Sequence, residues 1–141
     1  MTPYCVSEKH ISPEEIELLQ KIQLIVALLP DLNLDQEKIS CHLLSRAIGQ
    51  VFGLRWVDGY FYPSYQHSWL LTSKDNILDV YPVAIVGGPI LVVGPKDCWR
   101  APSRFHYRKK RLKIGTKRSS FQKALRQLIR EINKIKAEVV I

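Results

Sequence analysis

The chain has 141 residues, which suits one domain, and its 46% apolar and 24% charged composition is that of an ordinary folded protein rather than a disordered one. No apolar run approaches the roughly 20 residues needed to cross a bilayer, and residues 1–10 hold no signal-peptide core, so cytoplasmic residence is the expectation. The net charge of +8 is concentrated: residues 98–130 carry 12 Lys and Arg and no acid, whereas residues 1–97 carry 7 Lys and Arg against 11 Asp and Glu.

Ser12-Pro13-Glu14-Glu15 predicts a helix start, with Ser12 as cap, Pro13 in the first helical position and Glu15 closing a capping box. Ile16, Leu19, Ile22, Gln23 and Val26 then follow at helical spacing, so residues 13–29 read as an amphipathic helix that stops before Pro30. A second helix is predicted over residues 40–52, with Leu43, Leu44, Ala47, Ile48 and Val51 on one face and Gly53 as its stop. From Leu54 the pattern turns to strands. Residues 55–61 are β-formers interrupted by Asp58-Gly59, which predicts a bulge or tight turn, and Tyr62-Pro63-Ser64 ends the segment. Residues 67–72 and 77–81 read as two short strands around the turn-rich Ser73-Lys74-Asp75-Asn76. Residues 83–93 read as one bent or two short strands, 95–102 as loop, and 104–114 as a basic edge strand. A final helix opens at Ser119 or Ser120 and buries Phe121, Leu125, Leu128, Ile129, Ile132 and Ile135. The order predicts a single α+β domain over residues 1–141, with a mostly antiparallel sheet covered by helices on one face.

Cys5, Cys41 and Cys98 form no disulfide framework and no CxxC or CxxH pair, so neither zinc nor any cofactor is implied. Cys41 stands out because it follows Ser40 at a helix start, where unpaired N–H groups and the positive end of the helix dipole favour a thiolate. A nucleophilic thiol needs a base, and a base needs an orienter. His67, Trp69 and Leu71 share one face of their strand, and Ile77, Asp79 and Tyr81 share one face of the next. An odd hairpin loop puts both sets on the same side, with His67 and Asp79 opposed or one diagonal step apart. An even loop separates them. The competing reading is an inert core cysteine, a surface histidine and an unrelated aspartate.

Ser40-Cys41-His42-Leu43-Leu44, His67-Ser68-Trp69-Leu70 and Ile77-Leu78-Asp79-Val80-Tyr81-Pro82 occur in the order seen in a known group of enzymes. They resemble the transglutaminase-like branch of the papain-fold cysteine enzymes, in particular its small bacterial members such as the leader peptidases of lasso-peptide maturation. The likeness covers residues 35–95. It implies a papain-like core, Cys41 as nucleophile, His67 as general base and acid, and Asp79 as orienter. The Cys-to-His interval is shorter than is usual in that family, and the Gly and Trp that commonly flank its cysteine are absent. Gln66 is a candidate helper for the oxyanion, and Trp69 is expected to pack under the imidazole. His42 is expected to point elsewhere, because adjacent helical positions diverge.

The C-terminal segment, residues 98–141, offers a different function. Arg104, Arg108, Lys109, Lys110, Arg111, Lys113, Lys117 and Arg118 lie among Trp99, Phe105 and Tyr107, a mixture suited to phosphate contacts and base stacking. No nucleic-acid motif accompanies them, so the partner class stays at an anionic polymer or surface: nucleic acid, acidic protein or anionic membrane. The bland reading is a solvated, charge-protected strand edge. The sequence therefore predicts a cysteine hydrolase acting on an amide bond of a peptide or protein, as peptidase, amidase or deamidase, with acyl transfer to an amine as a variant. The alternative is a non-enzymatic binding module that uses residues 98–130.

Overall fold

A computed structural model of the chain describes residues 11–32, 34, 37–82, 88–94 and 106–139. The first helix, α1 (Pro13–Leu28), begins as its sequence demands. Ser12 Oγ accepts from the Glu15 N–H at 3.2 Å, and the Glu15 carboxylate accepts from the Ser12 N–H at 2.8 Å. Its buried stripe runs through Glu15, Ile22 and Ile25, so Ile16, which neighbours Glu15 on the helix, is exposed. The second helix, α2 (Cys41–Phe52), is capped by Ser40, whose Oγ accepts from the Leu43 N–H at 3.2 Å, and ends at Gly53 in the left-handed region at φ 68°.

Among the described residues, four strands follow before the charged segment. β1 (Arg55–Phe61) pairs along its whole length with β2 (Tyr65–Leu71), from Arg55 opposite Leu71 to Phe61 opposite Tyr65. The predicted interruption at Asp58-Gly59 is therefore absent. Both residues are ordinary strand positions, Asp58 opposite Ser68 and Gly59 opposite His67, and the chain reverses at residues 62–64 instead. β3 (Ile77–Asp79) pairs with β2, Leu71 opposite Ile77, and β4 (Ile90–Val92) pairs with β3. Residues 83–87 and 95–105, which the sequence reading gave to strand and loop, lie outside the described residues. β5 (Tyr107–Lys109) returns to the free edge of β1, giving one antiparallel sheet in the order β4-β3-β2-β1-β5. The last helix, α3, spans Ser119–Glu138.

The three helices among the described residues share one core with a single face of the sheet. Ile22 and Ile25 of α1, Leu43, Leu44 and Ile48 of α2, and Leu128 and Ile132 of α3 close on Leu70 and Leu78. Each such side chain, almost fully removed from water, contributes roughly 1.5–3 kcal/mol. This is the predicted α+β arrangement. It also fixes the site's frame, because α2 holds Cys41 at its first turn while the sheet holds His67 and Asp79 on adjacent strands. Among the described residues no helix is long and apolar enough to cross a membrane.

Candidate functional site

The hairpin that joins β2 to β3 leaves residues 72–76 between the strands, an odd number, so the same-face condition is met. With Leu70 opposite Leu78, Asp79 falls one diagonal step from His67 on the same side of the sheet. His67 Nε2 lies 2.8 Å from Asp79 Oδ2, and the two side chains are 2% and 0% exposed. Asp79 is saturated on its other sides. Its Oδ1 accepts from the Tyr81 N–H at 3.1 Å, and its Oδ2 accepts from the Tyr107 hydroxyl at 2.8 Å. With Nε2 committed to Asp79, Nδ1 is the His67 nitrogen left for a thiol.

Cys41 is the first residue of α2 and is half-buried. Burial by itself would raise its pKa. Hydrogen bonding with His42 and His67, and the positive charge of the His67 imidazolium, outweigh burial and bring the thiol down to about 6. Burial likewise opposes charge on His67, but hydrogen bonding to Asp79 and Cys41 and their negative charge raise that imidazole to about 9. Between those values the stable form is a thiolate beside an imidazolium. Burial and then the charge of Asp79 push the Tyr107 phenol far above its ordinary value, which keeps it a donor.

The aromatic residues keep the imidazole in place. Trp69 lies tilted at 31° with its ring 6.1 Å from that of His67, as a packing partner. Phe61 meets the imidazole edge-on at 5.9 Å, and Tyr107 packs edge-on against both Phe61 and Trp69. Tyr107 reaches this position because β5 crosses very close to Gly59. A Cβ there would lie 2.0 Å from the Arg108 carbonyl oxygen, so only glycine accommodates the approach. The chain matches no family model, no curated protein and no solved structure. The chemistry must therefore be read from these residues alone.

His42 departs from its expected place. Its Nδ1 sits 2.6 Å from Ser68 Oγ, and Ser68 Oγ donates to Asp58 Oδ1 at 2.5 Å. Asp58 is held in turn by Arg46 at 2.7 Å, and Arg46 also donates to the His42 carbonyl at 3.2 Å. Burial would raise the Asp58 carboxyl, but the hydrogen bonds from Arg46 and Ser68 hold it below its usual value, so it stays ionised. The divergence of neighbouring helical positions is real. The sheet brings Ser68 to His42 from the other side and fixes the ring there.

Gln66 is exposed and alternates to the face of β2 opposite His67, so the structure does not gather it with that ring. In the charged segment, Arg108, Lys109, Lys110, Arg111, Lys113, Lys117 and Arg118 are all exposed, and Arg104 lies outside the described residues. Arg108 donates to the Pro63 carbonyl at 3.1 Å and Arg118 pairs with Glu37 at 2.6 Å. Cys5 and Cys98 also lie outside the described residues. Among the described residues no group of three or more His, Cys, Asp and Glu is arranged to hold a metal ion.

A cleft of about 280 Å³ opens beside Ser40 and His42, walled by Lys38, Ile114, Arg118 and Phe121. A larger groove of about 520 Å³ runs over Val57, Trp69, Leu71 and Tyr107 and does not reach the thiol. The arrangement joins a half-buried thiol, an imidazole and a fixed carboxylate, and the smaller cleft opens beside the two residues that flank Cys41. Two residues contribute to it that the sequence did not point to here: Tyr107, which read as a stacking aromatic of the basic segment and instead donates to Asp79, and Asp58. For Asp58 the missing signal was the unbroken strand, since a full seven-residue pairing sets it opposite Ser68.

Proposed function

We propose that this chain is a cysteine hydrolase acting on an amide bond, with Cys41 as nucleophile, His67 as acid and base, and Asp79 as the group that orients His67. The observation that carries the reading is the connected set of a helix-terminal thiol lowered to about 6, an imidazole beside it, and a 2.8 Å bond from that imidazole to a buried carboxylate. Thiolate attack on the carbonyl carbon forms the C–S bond. His67 then gives its proton to the leaving amine as the C–N bond breaks, and water releases the acyl group from sulfur. In the first turn of α2, the Leu43 and Leu44 N–H groups are spent on the Ser40 side chain and carbonyl. The N–H groups of Cys41 and His42 have no partner within the helix and stand ready for the oxyanion. The likeness of the three short segments to the transglutaminase-like enzymes agrees with this assignment, and an amine in place of water would make the same site an acyl transferase.

The test is chemical. Iodoacetamide at a pH near 6 is expected to alkylate Cys41 well ahead of Cys5 and Cys98, and a peptide mixture is expected to show amide cleavage that Cys41→Ala abolishes. Equal labelling of all three thiols, or cleavage that survives Cys41→Ala, rules the assignment out. A second reading rests on the seven basic side chains exposed over residues 108–118, a surface suited to an anionic polymer.

A further inference from the structure

Two imidazoles act on the thiol, and the hydrogen bonds at their far nitrogens hold the neutral rings in opposite tautomers. His67 commits Nε2–H to Asp79 and turns Nδ1 to the site. At His42 the constraint comes from Ser68, which has a single proton. Ser68 gives it to Asp58, whose ionised carboxylate can only accept, so Ser68 Oγ is left to accept from His42. The proton of neutral His42 therefore sits on Nδ1, and Nε2 presents a lone pair. Arg46 fixes the far end of this chain from α2 itself, one turn beyond His42.

The two rings also differ in access to water. His67 is 1% exposed and enclosed by Phe61 and Trp69. His42 is half-buried and lines the open cleft at the start of α2. A base for a water molecule must reach water, and only one of the two rings borders it.

The geometry points to His42 as a second catalytic residue, the base that activates water against the acylated Cys41. This rests on the hydrolase reading above and divides its two half-reactions between two histidines. In the first, the leaving group takes the His67 proton and His67 becomes neutral. In the second, a water oxygen bonds to the thioester carbon while His42 Nε2 takes one water proton. The C–S bond then breaks, the carboxylic acid leaves, and the sulfur departs as thiolate. The proton on His42 passes by way of the sulfur to His67, which restores the starting ion pair. Nothing is oxidised or reduced, and the water is the only added reactant.

The experiment uses the full chain and p-nitrophenyl acetate, whose leaving group needs no proton, at a pH where the thiol is ionised in every variant. Wild type is expected to release one burst of nitrophenolate as Cys41 is acetylated, followed by slower turnover. His42→Gln should keep the burst within a few-fold but slow turnover about 100-fold, so that acetyl-Cys41 accumulates in the intact mass spectrum. Ser68→Ala keeps the imidazole but frees its tautomer, and should slow turnover about tenfold with the burst intact. Hydroxylamine attacks a thioester without a base and should restore turnover to His42→Gln. Deacetylation of His42→Gln and Ser68→Ala at the wild-type rate overturns the role of His42 and leaves the hydrolase reading standing. Loss of the burst in both variants overturns it too, since His42 would then serve acylation or folding. Absence of acetyl-Cys41 in wild type overturns both readings.

Discussion

Two buried carboxylates, Glu15 and Asp79, show how the same physical solution gives opposite outcomes. Glu15 is 5% exposed and accepts from the Ser12 N–H at 2.8 Å, Ser12 Oγ at 3.1 Å, Thr72 Oγ1 at 2.5 Å and Asn76 Nδ2 at 2.9 Å. Burial acts to raise its pKa, but these hydrogen bonds prevail and lower it. Asp79 is still more enclosed and takes three donors, from Tyr81, Tyr107 and His67. The difference lies behind the donors. Backbone amide, hydroxyl and side-chain amide lose no proton near neutrality, so Glu15 is a fixed clamp that ties the start of α1 to the β2–β3 turn. One donor to Asp79 is an imidazole that also bears on the Cys41 thiol, so the same kind of carboxylate here fixes the orientation of a titratable ring. In this chain the two buried carboxylates differ in whether a titratable donor stands between them and a thiol.

The sharpest break between the two regions is in thiol reactivity. His67→Gln preserves a donor to Asp79 but removes the imidazolium, so the Cys41 pKa should climb from about 6 toward its ordinary value. Alkylation near that pH should fall roughly 100-fold, since the reaction follows the thiolate fraction. Glu15→Gln should leave it unchanged. A thiol titration indifferent to His67→Gln would dissolve the distinction drawn between the two carboxylates.

In stability the order reverses. Glu15→Gln replaces a charged acceptor of four hydrogen bonds and should cost roughly 2–3 kcal/mol in urea unfolding at neutral pH. Because the folded-state pKa of Glu15 lies below its unfolded value, its contribution is present above the unfolded pKa and fades as pH falls through the folded one. Unfolding curves measured down the acid limb should converge for wild type and Glu15→Gln. A constant gap between them would mean that the carboxylate's charge plays no part.

The pH profile of acylation sharpens the comparison further. A thiolate needs pH above about 6 and a protonated His67 needs pH below about 9, so the rate should rise through the first value and fall through the second. A single ascending limb with an amide substrate would show that His67 donates no proton to the leaving group. The smallest effect on the fold should come from the charged surface. Changing Arg108, Lys109, Lys110 and Arg111 together to Gln should alter stability by less than about 1 kcal/mol, because exposed charges contribute little. Binding of heparin or DNA at low salt should weaken in that variant and remain in Cys41→Ser. Wild-type chain that binds neither polyanion at low salt reduces the segment to a solubilising face.

What the sequence by itself determined was how the helices start and stop, which is governed by short spacing. The capping box at Ser12 and Glu15 and the Ser40 cap and Gly53 stop of α2 follow from spacings of a few residues, whereas the shared side of His67 and Asp79 waited on the odd hairpin of residues 72–76. Tertiary structure alone decided which elements became neighbours. Asp58-Gly59 carried the local signature of a turn, yet pairing with β2 on one edge and β5 on the other held it straight. That pairing set Asp58 opposite Ser68, and Ser68 in turn fixed the His42 ring. It also carried Tyr107 from the far edge of the sheet to Asp79, 28 positions away in the chain. Side-chain alternation is written into the backbone of each strand, whereas strand order depends on which apolar faces the whole chain can bury at once.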